Sequence, residues 1–384
     1  MIRLVIALVL LATGAFAQVK VDPDRTSVSD GWWSLEVDVG LDGIVPFRVF
    51  TLDAPRRLVV DFEGADFSDV VPDSILSGDR ASDVRIGPLR PGWARMVVDL
   101  AEPLVVAQAG MRRSDGGADL NIVLEQATEA EFIAAAGAPP DPGWQQVTAF
   151  DPKDAQRLAE TTDLVVVIDP GHGGIDPGAL GGGIKESDLM LLLGAELAVT
   201  LNRLDGVQSV LTRRDDSFLP LAGRLTLARS VGADLFLSLH ADALDDPNVR
   251  GATVYTLSQG DDDAATKRLV ERHARSDLLA GVDLNAAEDR VATALMGLAR
   301  AETGPAAQRF ADALVRSMQE EGVRLNSRPR REALFAVLTA ADFPSVLIEV
   351  GFLSNAEDRA VLATAGGRGR IINAIADTFA LLAR

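Results

Sequence analysis

Leu164-Val165-Val166-Val167-Ile168-Asp169-Pro170-Gly171-His172-Gly173-Gly174 is the stretch that decides the fold. Its five leading apolar residues, four of them β-branched, suit a strand buried on both faces. A glycine-rich loop follows, and then a helical pattern that lines Leu189, Leu192, Leu193, Leu197 and Leu201 along one face. Farther on, strands are expected at 208–212, 234–240, 252–257 and 345–349, with helices near 221–231 and 370–382. Strands alternating with helices predict an α/β domain over residues 163–384, a mostly parallel twisted sheet flanked by helices. Residues 258–330 break that rhythm. They are charged and helical in pattern and read as an insertion, either a surface excursion or a lid.

Upstream the character changes. Between residues 18 and 127 the runs 34–39, 57–62, 95–100 and 119–124 alternate polar and apolar residues. Gly31, Asp42-Gly43, Gly92 and Gly116-Gly117 mark turns between them, so a small all-β sandwich is expected. Nothing in this half has metal-ligand or nucleophile spacing, which leaves a binding or spacer module. A helical run over 128–136 leads into Gly137-Ala138-Pro139-Pro140-Asp141-Pro142-Gly143, and residues 128–162 read as a linker. Residues 1–17 have the form of a signal peptide, with Arg3, the apolar Leu4 to Leu11, and Ala15-Phe16-Ala17 as cleavage site. That apolar run is too short to span a bilayer, so no stable membrane anchor is expected after cleavage.

The composition narrows the chemistry. Without cysteine there is no disulfide, thiolate metal site or cysteine nucleophile, so any zinc must be held by His, Asp or Glu. Fifty-six acidic against 37 basic residues give a net charge of −19, which argues against a nucleic-acid partner.

Three histidines are present. His172 follows the buried strand directly, and His240 ends the strand Leu235-Phe236-Leu237-Ser238-Leu239-His240. Open α/β sheets build their sites at the carboxyl ends of strands. Glu186 opens the helix after the glycine loop, where the loop can return it to His172. Two His and one Glu from separate elements match a catalytic zinc shell whose fourth position is left for water. The alternative is that each histidine is an ordinary, partly buried residue. The glycines satisfy neither G-x-G-x-x-G, because Asp176 stands at the third glycine, nor the P-loop spacing, so a nucleotide site is disfavoured. Glu349 ends the apolar run Val346-Leu347-Ile348, where a carboxylate is costly unless paired or given a task such as taking a proton from water.

These segments resemble the zinc-dependent N-acetylmuramoyl-L-alanine amidases. The opening motif is Val167-Ile168-Asp169-Pro170-Gly171-His172-Gly173-Gly174-Ile175-Asp176-Pro177-Gly178-Ala179. Lys185-Glu186, Leu211-Thr212-Arg213, Ser238-Leu239-His240-Ala241-Asp242-Ala243 and Ile348-Glu349-Val350-Gly351-Phe352-Leu353-Ser354-Asn355 follow in the family's order. One departure is Ala228-Arg229, where the family commonly shows Ala-Asn. The first half is similar to the AMIN module, most clearly at Leu58-Val59-Val60-Asp61-Phe62. The resemblance implies one Zn²⁺ on His172, Glu186 and His240, with Glu349 as the catalytic glutamate. It further implies a periplasmic enzyme that hydrolyses the bond between N-acetylmuramic acid and L-alanine in peptidoglycan, in cell-wall remodelling and daughter-cell separation. The AMIN-like half would bind wall or direct the enzyme to the division septum. Asp169 and Asp242, beside the histidines, are expected to orient the imidazoles. A zinc peptidase or deacetylase on another wall bond, or a non-catalytic wall-binding adaptor, would share many of these features.

Related division enzymes often carry, at the position of the 258–330 insertion, a helix that covers the zinc until an activator protein displaces it. Here residues 264–279 can form that helix, with Leu269, Val270, His273 and Asp277 along one side. His273, or alternatively Glu271, is expected to approach the open coordination position; the other reading of His273 is a solvated histidine on a charged helix.

Overall fold

A computed structural model describes residues 18–114, 116–138, 163–257, 263–279, 293–340 and 342–382, without side chains for 274–302. The signal-peptide segment 1–17 and residues 139–162 of the expected linker lie outside the described residues. Among the described residues, no helix is long and apolar enough to cross a membrane.

Among the described residues, nine strands form the first half. They are β1 (Val19–Asp30), β2 (Ser34–Leu41), β3 (Phe47–Leu52), β4 (Arg57–Glu63), β5 (Ala65–Asp66), β6 (Ala81–Arg90), β7 (Trp93–Leu100), β8 (Leu104–Ser114) and β9 (Gly117–Gln126). Their sheets have the orders β5-β1-β2-β9-β8 and β3-β4-β7-β6. Alternation does the work: Leu35, Val37, Val39 and Leu41 from β2 meet Leu58, Val60 and Phe62 from β4 in one apolar core. Asp61, which the alternation turns away from that core, is fully buried all the same and bonds Arg95 at 2.5 and 2.9 Å and Arg48 at 2.7 Å. The helical run after residue 127 is present as Glu129–Ala135, capped by Thr128 and Glu131. Its Phe132 is buried in the sandwich core, so this turn of chain packs with the sandwich.

The second half is a six-stranded sheet with the order β13-β10-β14-β17-β15-β16. The strands are β10 (Leu164–Pro170), β13 (Val207–Leu211), β14 (Leu235–His240), β15 (Ala252–Leu257), β16 (Leu325–Ala333) and β17 (Ser345–Glu349). A short hairpin, β11 (Leu180–Gly181) with β12 (Ile184–Lys185), precedes the helix Glu186–Leu201. Val166 and Ile168 belong to the core under the helices 186–201 and 365–382, whereas Val165 and Val167 face the helix 221–230 on the other side. The β-branched run is therefore covered on both faces, as a central parallel strand requires.

The sheet is mostly parallel, as expected, and β15 against β17 is its one antiparallel pair. Two details differ from the sequence reading. Leu192 stays 46% exposed, and Met190 takes the buried position beside Leu189 and Leu193. The 258–330 insertion is smaller than expected, because its end is core. Within the helix Thr293–Glu320, Ala307, Phe310, Ala311, Leu314 and Met318 pack under the sheet, and β16 pairs with β15.

Candidate metal centre and active site

β10, β14 and β17 are adjacent and parallel, and all three end at the same edge of the sheet. From β10 the chain crosses to β13 on one side and returns to β14 on the other, which opens a crevice at the strand ends. His172 leaves β10, His240 ends β14, and Glu349 sits in register with His240 at the end of β17. The loop after β10 folds back so that Glu186, at the start of its helix, lies beneath both rings. Gly178 makes that return possible. It has φ +67°, and a Cβ there would stand 2.6 Å from the His172 ring and 2.7 Å from Glu186 Oε2.

The polar geometry is specific. Glu186 Oε1 is 3.3 Å from His172 Nε2 and 3.2 Å from His240 Nδ1, and it also accepts the Ala241 amide at 2.9 Å. Glu186 Oε2 accepts the Ala179 amide at 2.8 Å. His172 Nε2 is buried and makes no hydrogen bond of proper geometry, although it lies beside a carboxylate oxygen. Tetrahedral zinc with ligands at about 2.0–2.1 Å separates those ligands by about 3.3 Å. Both separations from Glu186 Oε1 match that spacing, and with His172 Nε2 left without a hydrogen bond they fit a shared cation better than a histidine–glutamate hydrogen bond. The other ring nitrogen of His172 meets Asp176 Oδ2 at 2.7 Å, which fixes the ring, as a carboxylate behind a ligating histidine does.

Sequence comparison identifies the family. Residues 166–380 match the Amidase_3 family, N-acetylmuramoyl-L-alanine amidase, and residues 20–122 match the AMIN domain. The chain belongs to the N-acetylmuramoyl-L-alanine amidase family. It is 32% identical over 363 residues to the N-acetylmuramoyl-L-alanine amidase AmiC of Neisseria meningitidis, covering 86% of this chain and 82% of that protein. To AmiA of Escherichia coli it is 38% identical over 215 residues, 56% of this chain and 74% of the relative. The solved structure of AmiC2 of Nostoc punctiforme aligns over 58% of this chain and 98% of its own, at 31% identity and a TM-score of 0.41.

Within this amidase domain the site is closed over. The helix Ala264–Leu279 crosses its mouth, held by Leu269 in the apolar cluster with Tyr255 and Phe335. One turn on, His273 is buried; its Nε2 lies 2.9 Å from Asp242 Oδ2 and 3.9 Å from Glu349 Oε1. Ligand atoms of His172, His240 and His273 all lie within 4.8 Å of one another. Arg272 adds a second tie, donating to Asp242 Oδ1 at 2.5 Å and to the Ala243 carbonyl at 2.6 Å. The cavity left between Asp169, His172, His240, His273 and Arg224 is about 20 Å³, room for roughly one water. Glu271 is exposed, so of the two residues expected to approach the site only His273 does. Asp277 lies among the residues whose side chains are not described.

Charge and burial set the protonation states. Burial pushes the Glu349 carboxyl well above its usual range, and the charges of Asp242 and Glu186 add to the effect. Its Oε2 accepts the Asp242 amide at 3.1 Å, while Oε1 is buried without a hydrogen bond. Burial alone would raise Glu186 too, but His172 and His240 outweigh it and hold that carboxyl well below its ordinary value. For His172 the carboxylates of Glu186 and Asp176 overcome burial and raise the imidazole. His240 is lowered to about 4, by burial first and then by the neighbouring His273.

The expected orienting roles are redistributed. Asp169 bonds Thr212 Oγ1 at 2.6 Å, Ser238 Oγ at 2.9 Å and Arg224 Nη1 at 2.8 Å, so it braces the floor of the loop and not an imidazole of the pair. Asp242 holds His273 and Arg272. Asp176, for which the sequence reading had no role beyond its place in the motif, orients His172. Arg213 and Arg224 had no such signal: they donate to the carbonyls of Pro170, Gly171 and His172, and so hold His172 in its left-handed conformation at φ 59°. The family departure at Arg229 falls on the surface, where it pairs with Asp342.

Proposed function

We propose that this chain is a zinc-dependent hydrolase that cleaves the amide between N-acetylmuramic acid and L-alanine in peptidoglycan. One observation carries the reading: Glu186 Oε1 sits 3.3 and 3.2 Å from the two histidine nitrogens, with the unpartnered Oε1 of Glu349 across the same crevice. His172, Glu186 and His240 would hold the ion. When bound, zinc polarises the amide carbonyl and makes water acidic enough to ionise near neutral pH. Glu349 takes the proton from the attacking water; as the carbon–nitrogen bond breaks, it returns that proton to the leaving L-alanine nitrogen. Its amide anchor on Oε2 keeps Oε1 aimed at the reacting atoms, and burial favours a carboxyl that can keep a proton between the two steps.

The same reading makes the helix 264–279 an internal plug. His273 and Arg272 fasten it to Asp242, and a periplasmic activator protein would lift it at the site of wall cutting. Residues 18–127 then act as the wall- or septum-directed module of an exported enzyme that serves cell-wall remodelling and daughter-cell separation. The test is mass spectrometry of purified peptidoglycan digested by the mature protein, with and without a chelator. Release of intact peptides beginning at L-alanine, abolished by chelation, is the expected result; cleavage within the stem peptide, or only deacetylated glycan, overturns it.

A further inference from the structure

The sandwich does more than follow the amidase domain in space. β6 is the outermost strand of its sheet, so one edge is available for pairing outside the sandwich. Its register with β7 slips between Pro88 and Arg90, and Leu89 is the extra residue. This bulge turns two successive carbonyls outward. Pro88 accepts the Ile175 amide at 3.0 Å, and Leu89 accepts the Phe218 amide at 3.2 Å. Around them Leu89, Val97, Ile175 and Phe218 form a closed apolar cluster edged by Trp93. The approach is close enough to need glycine on both sides. A Cβ on Gly87 would stand 2.6 Å from Ile175 Cα, and one on Gly174, at φ +60°, would stand 2.1 Å from the Pro88 oxygen.

What β6 holds is the support of the ligands. Ile175 directly precedes Asp176, whose carboxylate fixes the His172 ring. Gly174, on its other side, donates to Asp216 Oδ1 at 2.9 Å, and Asp216 Oδ2 accepts from Lys185 Nζ at 2.7 Å, next to Glu186. Phe218 lies two residues beyond Asp216. The module thus grips the His172 loop at Ile175 and, at Phe218, the segment whose Asp216 clips that loop to the start of the Glu186 helix.

We infer that the N-terminal module is a positioning element of the metal centre, acting through the bulged segment Gly87–Leu89 on Ile175 and Phe218. This rests on the metal reading above. Partners behind ligating residues typically contribute 10- to 100-fold in metal affinity or activity, and the module's contribution is of that order.

The experiment uses the full chain. Gly87→Val wedges the strands apart, Leu89→Asp breaks the apolar cluster, and Phe218→Ala opens it from the other side. Hydrogen exchange reads the Ile175 and Phe218 amides, chelator competition reads zinc affinity, and a soluble muropeptide reads turnover without wall binding. In the wild type both amides exchange slowly. In the variants they exchange fast, zinc affinity falls roughly 10- to 100-fold and kcat falls more than KM rises, with Gly87→Ala intermediate. Unchanged zinc affinity and turnover in a folded variant whose two amides have become exposed overturns the inference. Fast exchange at both amides in the wild type also overturns it. Should one variant lose the sandwich itself, seen as exchange across β2 and β4, the others decide. A wild-type chain that binds no zinc removes the metal reading instead.

Discussion

Glu349 has one oxygen anchored to an amide and one without a bond, and that asymmetry supports the proposed proton carrier more than its burial does. Glu349→Gln keeps the shape and removes the base. Turnover on a soluble muropeptide should fall by roughly 10²- to 10⁴-fold with zinc content unchanged; wild-type turnover would exclude the role. The pH profile carries the sign. The base works when deprotonated, and burial lifts its pKa, so kcat/KM is lost as pH falls through a value above the ordinary ~4.3 of glutamate. His240→Ala should instead lose zinc and activity together. Arg224→Met removes the partner of the buried Asp169 and three carbonyl contacts, which should cost about 3–5 kcal/mol in urea unfolding. Burial would raise Asp169, but Arg224 together with the hydroxyls of Thr212 and Ser238 outweighs it and holds the carboxyl below its normal pKa. In the wild type that stabilisation is complete above the unfolded value of about 3.9 and is lost as pH falls through the lower folded one.

At the scale of elements, the helix 264–279 is tied to the site itself through a single carboxylate among its described residues. Leu269 packs, and Arg272 and His273 bond one carboxylate. Hydrogen bonds to a charged group contribute about 1.5–3 kcal/mol each, so removing one shifts the open fraction about 10- to 100-fold at most. His273→Ala should raise basal activity on purified wall partway, and deletion of 264–300 should raise it further. A deletion variant that folds and binds zinc yet is no more active than the parent defeats autoinhibition. The elements also differ in how plainly the sequence announced them. The run 164–168 could only be a strand covered on both sides, and β15 and β17 fall where alternation and apolarity put them. β1, β6 and β8 are less plain, because their exposed and polar positions dilute the period-2 signal, and β5 with two residues can show no period. The helix 293–320 was taken for surface because its charged residues obscured the buried face of Ala307, Phe310, Ala311 and Leu314.

For the whole molecule, metal and module are the two levers. Zinc at 100 times its dissociation constant stabilises by about 2.7 kcal/mol, so chelation should lower the melting temperature by roughly 5–10 °C for a domain of this size. No change in melting temperature under chelation would count against a bound structural load at His172, Glu186 and His240. A chain starting near Asp163 keeps the core formed by β10, β14, β17 and the helices 186–201 and 365–382, so it should fold and still take up zinc. It should lose wall or septal binding, and its zinc should be held more weakly without β6 against Ile175. Undiminished septal localisation of that truncated chain would exclude the targeting role.

The sequence by itself determined the α/β architecture and the all-β first half, and it singled out His172, Glu186, His240 and Glu349 as candidates, because strand ends and helix starts are local properties and three of these four residues mark such positions. It placed His273 on the same helix face as Leu269, because helical spacing is also local, and only the family resemblance brought that helix to the site. Only the tertiary structure decided which carboxylate serves which ring. Asp169, Asp176 and Asp242 are alike in sequence, and their partners are set by through-space distances between segments up to 69 residues apart. Arg224 reaches the His172 carbonyl across 52 residues, and β6 reaches Ile175 from another sheet altogether. No periodicity encodes such contacts, since they exist only once separate elements have packed.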